Sequence, residues 1–352
     1  MESYSSHEVA VIGAGVVGLA VALRARQAGM SVVVVDRGEP GHGTSWRAAG
    51  MLAPVSEADP AEPELLTLIS RSSSAWPAFA AELLGLSGVD LGFRAQGTLL
   101  VARDRDGAED IDRQADIRQR LGLDIDLLLP SAARALEPAL APTIRAAAWL
   151  ATDHSVDPRA VIAALVGACR EVGVAFSRAE VDPRDVDAEQ VVMATGAWSG
   201  APVRPVKGQA LALRERASSV NLLSRILRFD GGYLVPRGGG AYYLGATVEE
   251  QGFDARPTAL GHYELLRDCA EVLPGVLELD IEEVIVGFRP GTPDNAPIIG
   301  RDHRDQRVVW ATGHYRHGIV LAPATAELVV ASLRGDAPDH RFGIERFAGV
   351  MA

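Results

Sequence analysis

Arg289 is the side chain of this sequence that most needs a chemical explanation. It follows the apolar run 284–286 in the segment GFRPGTPDNAPIIG (287–300), and Pro290 comes directly after it. A guanidinium keeps its charge at any biological pH, so a site that removes it from water needs an anionic partner. No acidic residue lies within four positions on either side of Arg289. The sequence therefore predicts that the missing anion is a ligand.

A glycine-rich turn near the N-terminus has the spacing of a dinucleotide-binding site. Apolar residues predict a strand, the sequence GAGVVG follows, and a helical pattern comes next, over residues 16–27. Gly13 permits the tight turn, Gly15 lets backbone N–H groups approach a pyrophosphate, and Gly18 lets helix and strand pack closely. This order of elements favours dinucleotide binding over an ordinary glycine-rich turn.

The acidic residue that such a site uses to hold a ribose is also present. A buried parallel strand is predicted over residues 31–35, and Asp36 follows it, 18 residues after Gly18. The Asp36 carboxylate would accept hydrogen bonds from the ribose hydroxyls. The neighbouring Arg37 would suit a 2'-phosphate, but Asp36 would repel that group.

Three later segments indicate which dinucleotide binds. Residues 43–52 read GTSWRAAGML, in which small residues would let a flat ring system lie against the backbone. Residues 191–196, VVMATG, predict a strand that ends in a small-residue turn. Residues 308–334 predict a strand, a polar turn and a helix that begins near Pro323. A helix N-terminus beneath a flavin stabilises the negative charge created by reduction, and a nicotinamide enzyme has no need of it.

Composition is that of an ordinary soluble protein with small-molecule partners. The chain has 352 residues, of which 48% are hydrophobic and 23% charged, and this length suits two domains. A net charge of -12 argues against nucleic acid and anionic membranes as partners. Cys169 and Cys269 have no metal-ligand spacing, so we expect reduced core thiols in a cytoplasmic protein and no metal site. The polar N-terminus does not resemble a signal peptide.

Seven stretches make the sequence similar to the D-amino-acid oxidase family of FAD enzymes. They run from residue 9 to about residue 325 and read VIGAGVVGLA, AAGMLAP, RPVKGQ, YLVPR, GATVEE, FRPGTPDNAPIIG and GHYRHGIVLAPAT. No single stretch is decisive, but their order is specific to the family. Within the family, the sequence resembles the glycine-oxidising members most, and the resemblance implies FAD as the cofactor.

The resemblance implies an α/β fold in which a Rossmann-type FAD-binding domain interleaves with an α+β substrate domain built on a large antiparallel sheet. The β-rich patterns at 89–103 and 233–247 fit that sheet, and the glycines at 238–240 predict a hairpin turn. Between these patterns, Asp157 predicts the start of a helix as its N-cap. The predicted FAD-binding domain comprises residues 1–85, 146–200 and 287–352, and the predicted substrate domain comprises residues 86–145 and 201–286.

The family resemblance also explains the anion that Arg289 needs. In the family, an arginine pairs with the substrate carboxylate and a tyrosine hydroxyl adds a hydrogen bond, and Arg289 and Tyr233 match those positions. The planar fork of an arginine suits a carboxylate better than a lysine does. The alternatives are a salt bridge between Arg289 and a distant acid, and a core role for Tyr233. Hydride transfer to flavin N5 needs no strong protein base, so the protein's main task is positioning.

The turn GHYRHG lies at the flavin according to the resemblance, with Arg316 near the ring as a third catalytic residue. A cation there would help the reduced flavin to pass an electron to O2. His314 and His317 invite an acid–base interpretation, but hydride transfer asks little of a histidine, and packing or solvation is the alternative. The residues assigned to FAD by motif or resemblance are Gly13, Gly15, Gly18, Asp36, Arg37, Thr44, Ser45, Ala48, Ala49, Gly50, Met51, Val181, Thr195, Gly196, His314, Tyr315, Arg316, His317, Gly318 and Ile319.

Three residues at the expected substrate pocket leave the size of the substrate open. Met51 and Val248 match pocket positions of the glycine oxidases, where the second is commonly Met, so Val248 leaves extra room. Gly231 likewise gives up bulk near the entrance. Glycine, sarcosine, a small D-amino acid and an N-carboxymethyl amine would all present the same carboxylate and amine.

The activity implied by the resemblance is that of a glycine oxidase, which converts glycine and O2 to an imine and hence to glyoxylate and ammonia, with release of H2O2. The resemblance also implies a homo-oligomer and, in thiamine biosynthesis, delivery of the imine to thiazole synthase. The rivals are an oxidase of another small amino acid or secondary amine, an NAD-dependent reductase and a non-catalytic FAD-binding protein. The flavin helix disfavours the reductase, and the carboxylate clamp disfavours the non-catalytic protein.

FAD is predicted to bind without a covalent bond. Some relatives attach FAD through a histidine directly after a tryptophan, and this sequence has Arg47 after Trp46. Acid precipitation of the purified yellow protein should therefore leave the flavin in the supernatant, where its absorbance is measured. Flavin that remains in the pellet would contradict this prediction.

Overall fold

The computed structural model describes residues 7–216, 221–336 and 339–348. The helices are α1 (Val16–Gln27), α2 (Pro63–Ser87), α3 (Arg105–Arg120), α4 (Pro130–Leu136), α5 (Pro158–Glu171), α6 (Ala259–Val272) and α7 (Ala322–Leu333). The strands are β1 (His7–Ile12), β2 (Val32–Asp36), β3 (Met51–Leu52), β4 (Thr98–Ala102), β5 (Asp126–Leu128), β6 (Ala146–Leu150), β7 (His154–Ser155), β8 (Ala175–Arg178), β9 (Ala188–Met193), β10 (Arg204–Arg214), β11 (Ile226–Phe229), β12 (Gly232–Gly238), β13 (Ala241–Gly245), β14 (Asp280–Gly291), β15 (Ile298–Arg301) and β16 (Val308–Thr312).

The first large sheet has the strand order β15-β16-β9-β1-β2-β8. β1 pairs in parallel with both β2 and β9, and β1, α1 and β2 form the unit predicted from the glycine-rich motif. Its strands are apolar on both faces because both faces are covered. Helices α1, α2, α5 and α7 cover one face, and Val181 and Val186 from the acidic connector at 180–190 pack on the other.

The second large sheet has the order β14-β10-β13-β12-β11-β4-β6-β5. Its pairs are antiparallel except for β4 with β11, which are parallel. β12 and β13 form a hairpin whose turn includes the predicted glycines at 238–240. Helix α6 contributes to the apolar core on one face, and the other face carries residues that line a cavity. The predicted α/β fold with an antiparallel second sheet is confirmed.

Two predicted strands differ in detail from the observed ones. The pattern at 89–103 yields a strand only over Thr98–Ala102, because Gly92 and Gly97 adopt positive φ angles that interrupt an extended chain. The apolar run 284–286 does not form a buried strand, since Val284 is 46% exposed. β14 is an edge strand, so it lacks a neighbour on one side.

The predicted domain boundaries remain a prediction, and the strand pairing suggests a correction to two of them. A boundary at residue 146 places β6 in the FAD-binding domain, but β6 pairs with β4 and β5 in the eight-stranded sheet. A boundary at 287 divides β14, which pairs with β10 as far as Gly291. We propose boundaries after β6 and after β14.

Both cysteines are buried and free, as expected for core thiols. Burial raises the pKa of the Cys169 thiol to about 12 and also raises that of Cys269. Within residues 7–216, 221–336 and 339–348, no helix has the length and apolar character needed to cross a membrane.

A larger residue at Gly18 is predicted to disrupt the unit that carries the glycine-rich turn. A Cβ at this position would overlap the carbonyl oxygen of Gly13, which is backbone and cannot turn away. We therefore expect Gly18→Ala to lower the free energy of unfolding by about 1–3 kcal/mol or more and to weaken flavin retention, measured by thermal unfolding and by bound-flavin absorbance. Gly85→Ala, in α2 with open space around the added methyl group, is the matched control. Equal losses in both variants would contradict the packing argument.

Candidate active site

One cavity of about 1430 Å³ brings together the residues predicted at the cofactor and substrate sites. Every residue assigned from the sequence to catalysis, the substrate pocket or the cofactor lines this cavity, with the exception of Gly18. Gly18 packs against the Gly13 backbone instead, in agreement with its predicted role of letting the helix and the strand pack closely. The structure therefore places these residues together, and their individual roles remain predictions.

The end of the cavity next to the glycine-rich turn has the features that a pyrophosphate and a ribose need. Helix α1 begins after Gly15, and the backbone N–H of Val16 donates a hydrogen bond to Ser45 Oγ at 3.0 Å. The N-terminus of a helix attracts negative charge. The Thr195 hydroxyl is buried without a hydrogen-bond partner. Asp36 accepts hydrogen bonds from the backbone N–H groups of Ala14 at 2.7 Å and Gly38 at 2.8 Å. Its carboxylate keeps lone pairs for ribose hydroxyls.

The other end of the cavity is closed by the turn that precedes α7. His314 Nε2 lies 2.9 Å from the hydroxyl of Thr325 on α7, which fixes the turn to the helix. Burial lowers the pKa of His314 to about 3. Burial also lowers the pKa of His317 to about 4, against the opposing effect of Glu57. Both imidazoles are therefore neutral at pH 7, which favours the packing interpretation over an acid–base role.

Arg289 extends from β14 across Gly208 of β10. A Cβ on Gly208 would lie 2.6 Å from Arg289 Nη1, so a larger residue at this position would displace the guanidinium. Arg289 Nη1 donates a hydrogen bond to the Thr247 carbonyl at 2.9 Å. Among the described residues, no Asp or Glu forms an ion pair with Arg289, which lines the cavity. The alternative role of Arg289, a salt bridge with a distant acid, is therefore not observed among the described residues.

Tyr233 lies on the same side of the sheet as Arg289 because of the strand register. Tyr233 pairs with Gly245 on β13, Gly245 pairs with Ala210 on β10, and Ala210 pairs with Ile285 on β14, four residues before Arg289. Directly opposed residues share a face, and so do residues an even number apart along a strand. Burial raises the Tyr233 pKa although the nearby Arg289 charge lowers it, so the hydroxyl stays protonated and can donate a hydrogen bond.

The three predicted pocket residues occupy different parts of the wall. Met51 is half-buried in β3, whereas Val248 is 61% exposed and lies on a more open part of the cavity wall. Gly231 has φ +92°, and a Cβ there would lie 2.6 Å from Oδ2 of Asp268. The positive φ angle and the nearby Asp268 carboxylate therefore both favour glycine at position 231. These two reasons are independent of any effect of Gly231 on substrate size.

Sequence reasoning missed a pair of charged residues in the same wall. Arg228, on β11, forms an ion pair with Glu57, and Arg316 Nε lies 3.5 Å from the other oxygen of Glu57. Burial would raise the pKa of Glu57, but Arg228 and Arg316 outweigh it and lower this pKa to about 2. Glu57 and Arg228 lie 171 positions apart, and no local pattern connects them. The glycines at 208 and 245 were also missed, although glycine within a strand is a signal of close approach.

A family model described as FAD dependent oxidoreductase, DAO, matches residues 8–332. The chain belongs to the DAO family. Its predicted cofactor, FAD, is thereby confirmed. The N-terminus of α1, the unpartnered Thr195 hydroxyl and Asp36 fit that group.

Individual DAO-family proteins cover almost the whole chain. The glycine oxidase of Bacillus licheniformis is 30% identical over 355 residues, which is 94% of each chain. The bifunctional protein ThiO/ThiG of Trichormus variabilis is 32% identical over 92% of this chain, which spans 52% of that protein. The crystal structure of glycine oxidase from Geobacillus kaustophilus superposes with a TM-score of 0.91 at 29% identity, covering 97% of this chain and 99% of that one.

Acid pH is predicted to destabilise this family member through its neutral buried histidines. An unfolded histidine binds a proton near pH 6.5, whereas His317 in the folded chain does so only near pH 4. The stability that depends on a neutral His317 is therefore present above pH 6.5 and is lost as the pH falls toward 4. His317→Asn should reduce the slope of unfolding free energy against pH by up to about 1.4 kcal/mol per pH unit in that window.

Urea unfolding at fixed FAD concentration measures both slopes. Between pH 7 and 8, where this imidazole is neutral in both states, wild type and variant should have the same slope. An unchanged slope between pH 6.5 and 4.5 would contradict the inferred protonation state.

Proposed function

We propose that this DAO-family enzyme is a glycine oxidase that works with FAD and O2. In the proposed reaction, glycine, O2 and water give glyoxylate, ammonia and H2O2. The observation that supports it most is the Arg289 guanidinium, which lines the FAD cavity without an ion-pair partner among the described residues. The glycine oxidases of Bacillus licheniformis and Geobacillus kaustophilus, similar over nearly the full chain, support the same activity.

The proposed task of the protein is to hold the substrate by its carboxylate. Arg289 can present two N–H groups to the two carboxylate oxygens, and the Tyr233 hydroxyl can donate a further hydrogen bond to them. These contacts fix the position of Cα in the cavity. Bound FAD supplies the acceptor for the hydride that leaves Cα, and O2 restores the oxidised cofactor.

The cations in the cavity wall also favour the neutral form of the substrate amine, which is the form that the reaction needs. A hydride leaves Cα when the amine is neutral, because the nitrogen lone pair then forms the imine. Positive charge at Arg289, Arg228 and Arg316 opposes a protonated amine, and Glu57 offsets only part of this charge. No strong base is required of His314 or His317, in agreement with their low pKa values.

The proposed physiological role is the supply of an imine for thiamine biosynthesis. Relatives such as the Trichormus variabilis protein join a ThiO part to a ThiG part in one chain, which supports delivery of the imine to thiazole synthase. Free buried Cys169 and Cys269 support a reducing cytoplasmic compartment. A homo-oligomer remains a proposal from family resemblance.

Loss of the carboxylate clamp should impair catalysis severely. Removing Arg289 leaves the substrate carboxylate desolvated and unpaired, at a cost of about 3–5 kcal/mol, so Arg289→Ala should lower kcat/KM for glycine by roughly 10²- to 10⁴-fold. Arg289→Lys keeps the charge without the fork and should recover only part of the activity. Arg71→Gln, which removes an exposed cation far along the sequence, is the control. An unchanged KM for glycine in Arg289→Ala would refute the clamp.

Substrate choice is tested by peroxide release with glycine, sarcosine and D-alanine as separate substrates. We expect glycine to react. Reaction of a bulkier amine without reaction of glycine would reject the proposed thiamine role and favour the alternative, an oxidase of another small amino acid or secondary amine.

A further inference from the structure

Arg228 is a cation of the cavity wall that has no substrate carboxylate to bind in the proposed glycine reaction. It lies on β11 directly opposite Tyr233 of β12, and it lines the cavity. Opposed residues on antiparallel strands share a face, so Arg228 stands one strand, about 4.8 Å, beyond Tyr233 on the substrate side. Arg289 and Arg228 therefore approach the space around Tyr233 from opposite sides of that residue.

The charges around Arg228 do not balance. Arg228 and Arg316 share the single carboxylate of Glu57, whose side chain is 9% exposed. His317 is neutral at pH 7 because its pKa is about 4. Asp268, which also lines the cavity, is engaged by Arg267 and by a second arginine. Asp230 also lines the cavity, in the exposed turn after β11, so the excess of one positive charge is that of the cluster formed by Glu57 and its two arginines.

The neighbouring buried pair does not supply the missing negative charge. Asp153 accepts hydrogen bonds from the backbone N–H groups of Val55 and Ser56, and Arg118 donates to the carbonyl groups of the same two residues. These two opposite charges offset each other across residues 55–56. The excess near Arg228 therefore remains.

The hydrogen bonds of Arg228 and Arg316 also indicate that donors of these two cations lack partners among the described residues. A guanidinium has five N–H donors. Arg316, whose side chain is 37% exposed, makes no hydrogen bond to any acceptor among the described residues, and Arg228 donates only to Glu57 there. The oxidised flavin ring is neutral, so it adds no anion at the moment when substrate binds. Donors with an excess of charge thus line the wall beside the reacting centre.

We propose that Arg228 and Arg316 form a second anion subsite, and that the enzyme accepts amines with two carboxylates, one held by Arg289 and the other by this subsite. The inference rests on the proposed oxidase activity and specifies its substrate class. N-carboxymethylglycine would give glyoxylate, glycine and H2O2 from one O2 and one water, with the same hydride loss from Cα. Gly231 and the exposed Val248 leave the wall open enough for a substrate longer than glycine.

Matched acid and amide substrates test the subsite in the FAD-loaded enzyme. N-carboxymethylglycine is compared with its monoamide, and D-aspartate with D-asparagine, which separates a carboxylate on nitrogen from one on carbon. We expect kcat/KM to be at least about tenfold higher for the acid than for the amide in one of these pairs. Equal values within about twofold in both pairs would overturn the proposal.

Variants at the subsite test whether its residues cause the preference for acid over amide substrates. Arg228→Gln should reduce the acid-to-amide ratio to about one, and Glu57→Gln should increase it, because Glu57 competes with the substrate carboxylate for the same cations. The double variant Glu57→Gln/Arg228→Gln removes one charge of each sign and so leaves the net charge of the wall unchanged, and it replaces the single Arg228 variant if that variant fails to fold. Arg71→Gln is the remote control. An unchanged ratio in the Arg228 variants would overturn the assignment.

Failure of the subsite can be told apart from failure of the proposed oxidase. If no amine releases peroxide, the oxidase proposal fails, and the flavin absorbance change on titration with malonate and with its monoamide still tests the subsite. At least tenfold tighter binding of malonate supports the subsite, and equal binding overturns it.

Discussion

Keeping a guanidinium away from bulk water requires a compensating anion, and the architecture around Arg289 follows from this constraint. The edge strand β14 carries the side chain, Gly208 on the neighbouring strand leaves the space over which it lies, and the Thr247 carbonyl takes one of its donors. None of these partners neutralises the charge. In the proposed function, a carboxylate from outside the chain supplies this neutralisation, and recognition of an anionic substrate then follows from the position of Arg289 in the fold.

Charge in the cavity comes from groups that do not titrate near neutral pH. Three arginines and the low-pKa Glu57 remain ionised there, while burial keeps His314 and His317 neutral. In the proposed reaction, these residues position the substrate and do not transfer protons. This division of labour agrees with an oxidation in which the cofactor accepts the hydride and the protein orients the substrate.

Local sequence patterns were sufficient to predict the FAD-binding unit. Contacts between residues far apart in the sequence could not be predicted from such patterns. The helix at 16–27, the hairpin turn at 238–240 and the helix beginning near Pro323 follow from glycine, proline and apolar spacing, which act over a few residues. The exposure of Val284 depends on β14 being an edge strand, which spacing within the segment does not reveal. The contact of Glu57 with Arg228 likewise forms only when the loop after β3 meets β11 of the eight-stranded sheet. No sequence pattern predicts this contact.

The strand order of the six-stranded sheet has a consequence for biosynthesis. β1 leaves the ribosome well before β9, which flanks it in the sheet and pairs on its other side with β16. At about 5–20 residues per second, the partner strands are translated roughly 10–60 seconds later. The apolar β1–α1 segment is therefore synthesised well before the strands that complete its sheet, and the chain can enclose its cofactor only after those strands have been translated.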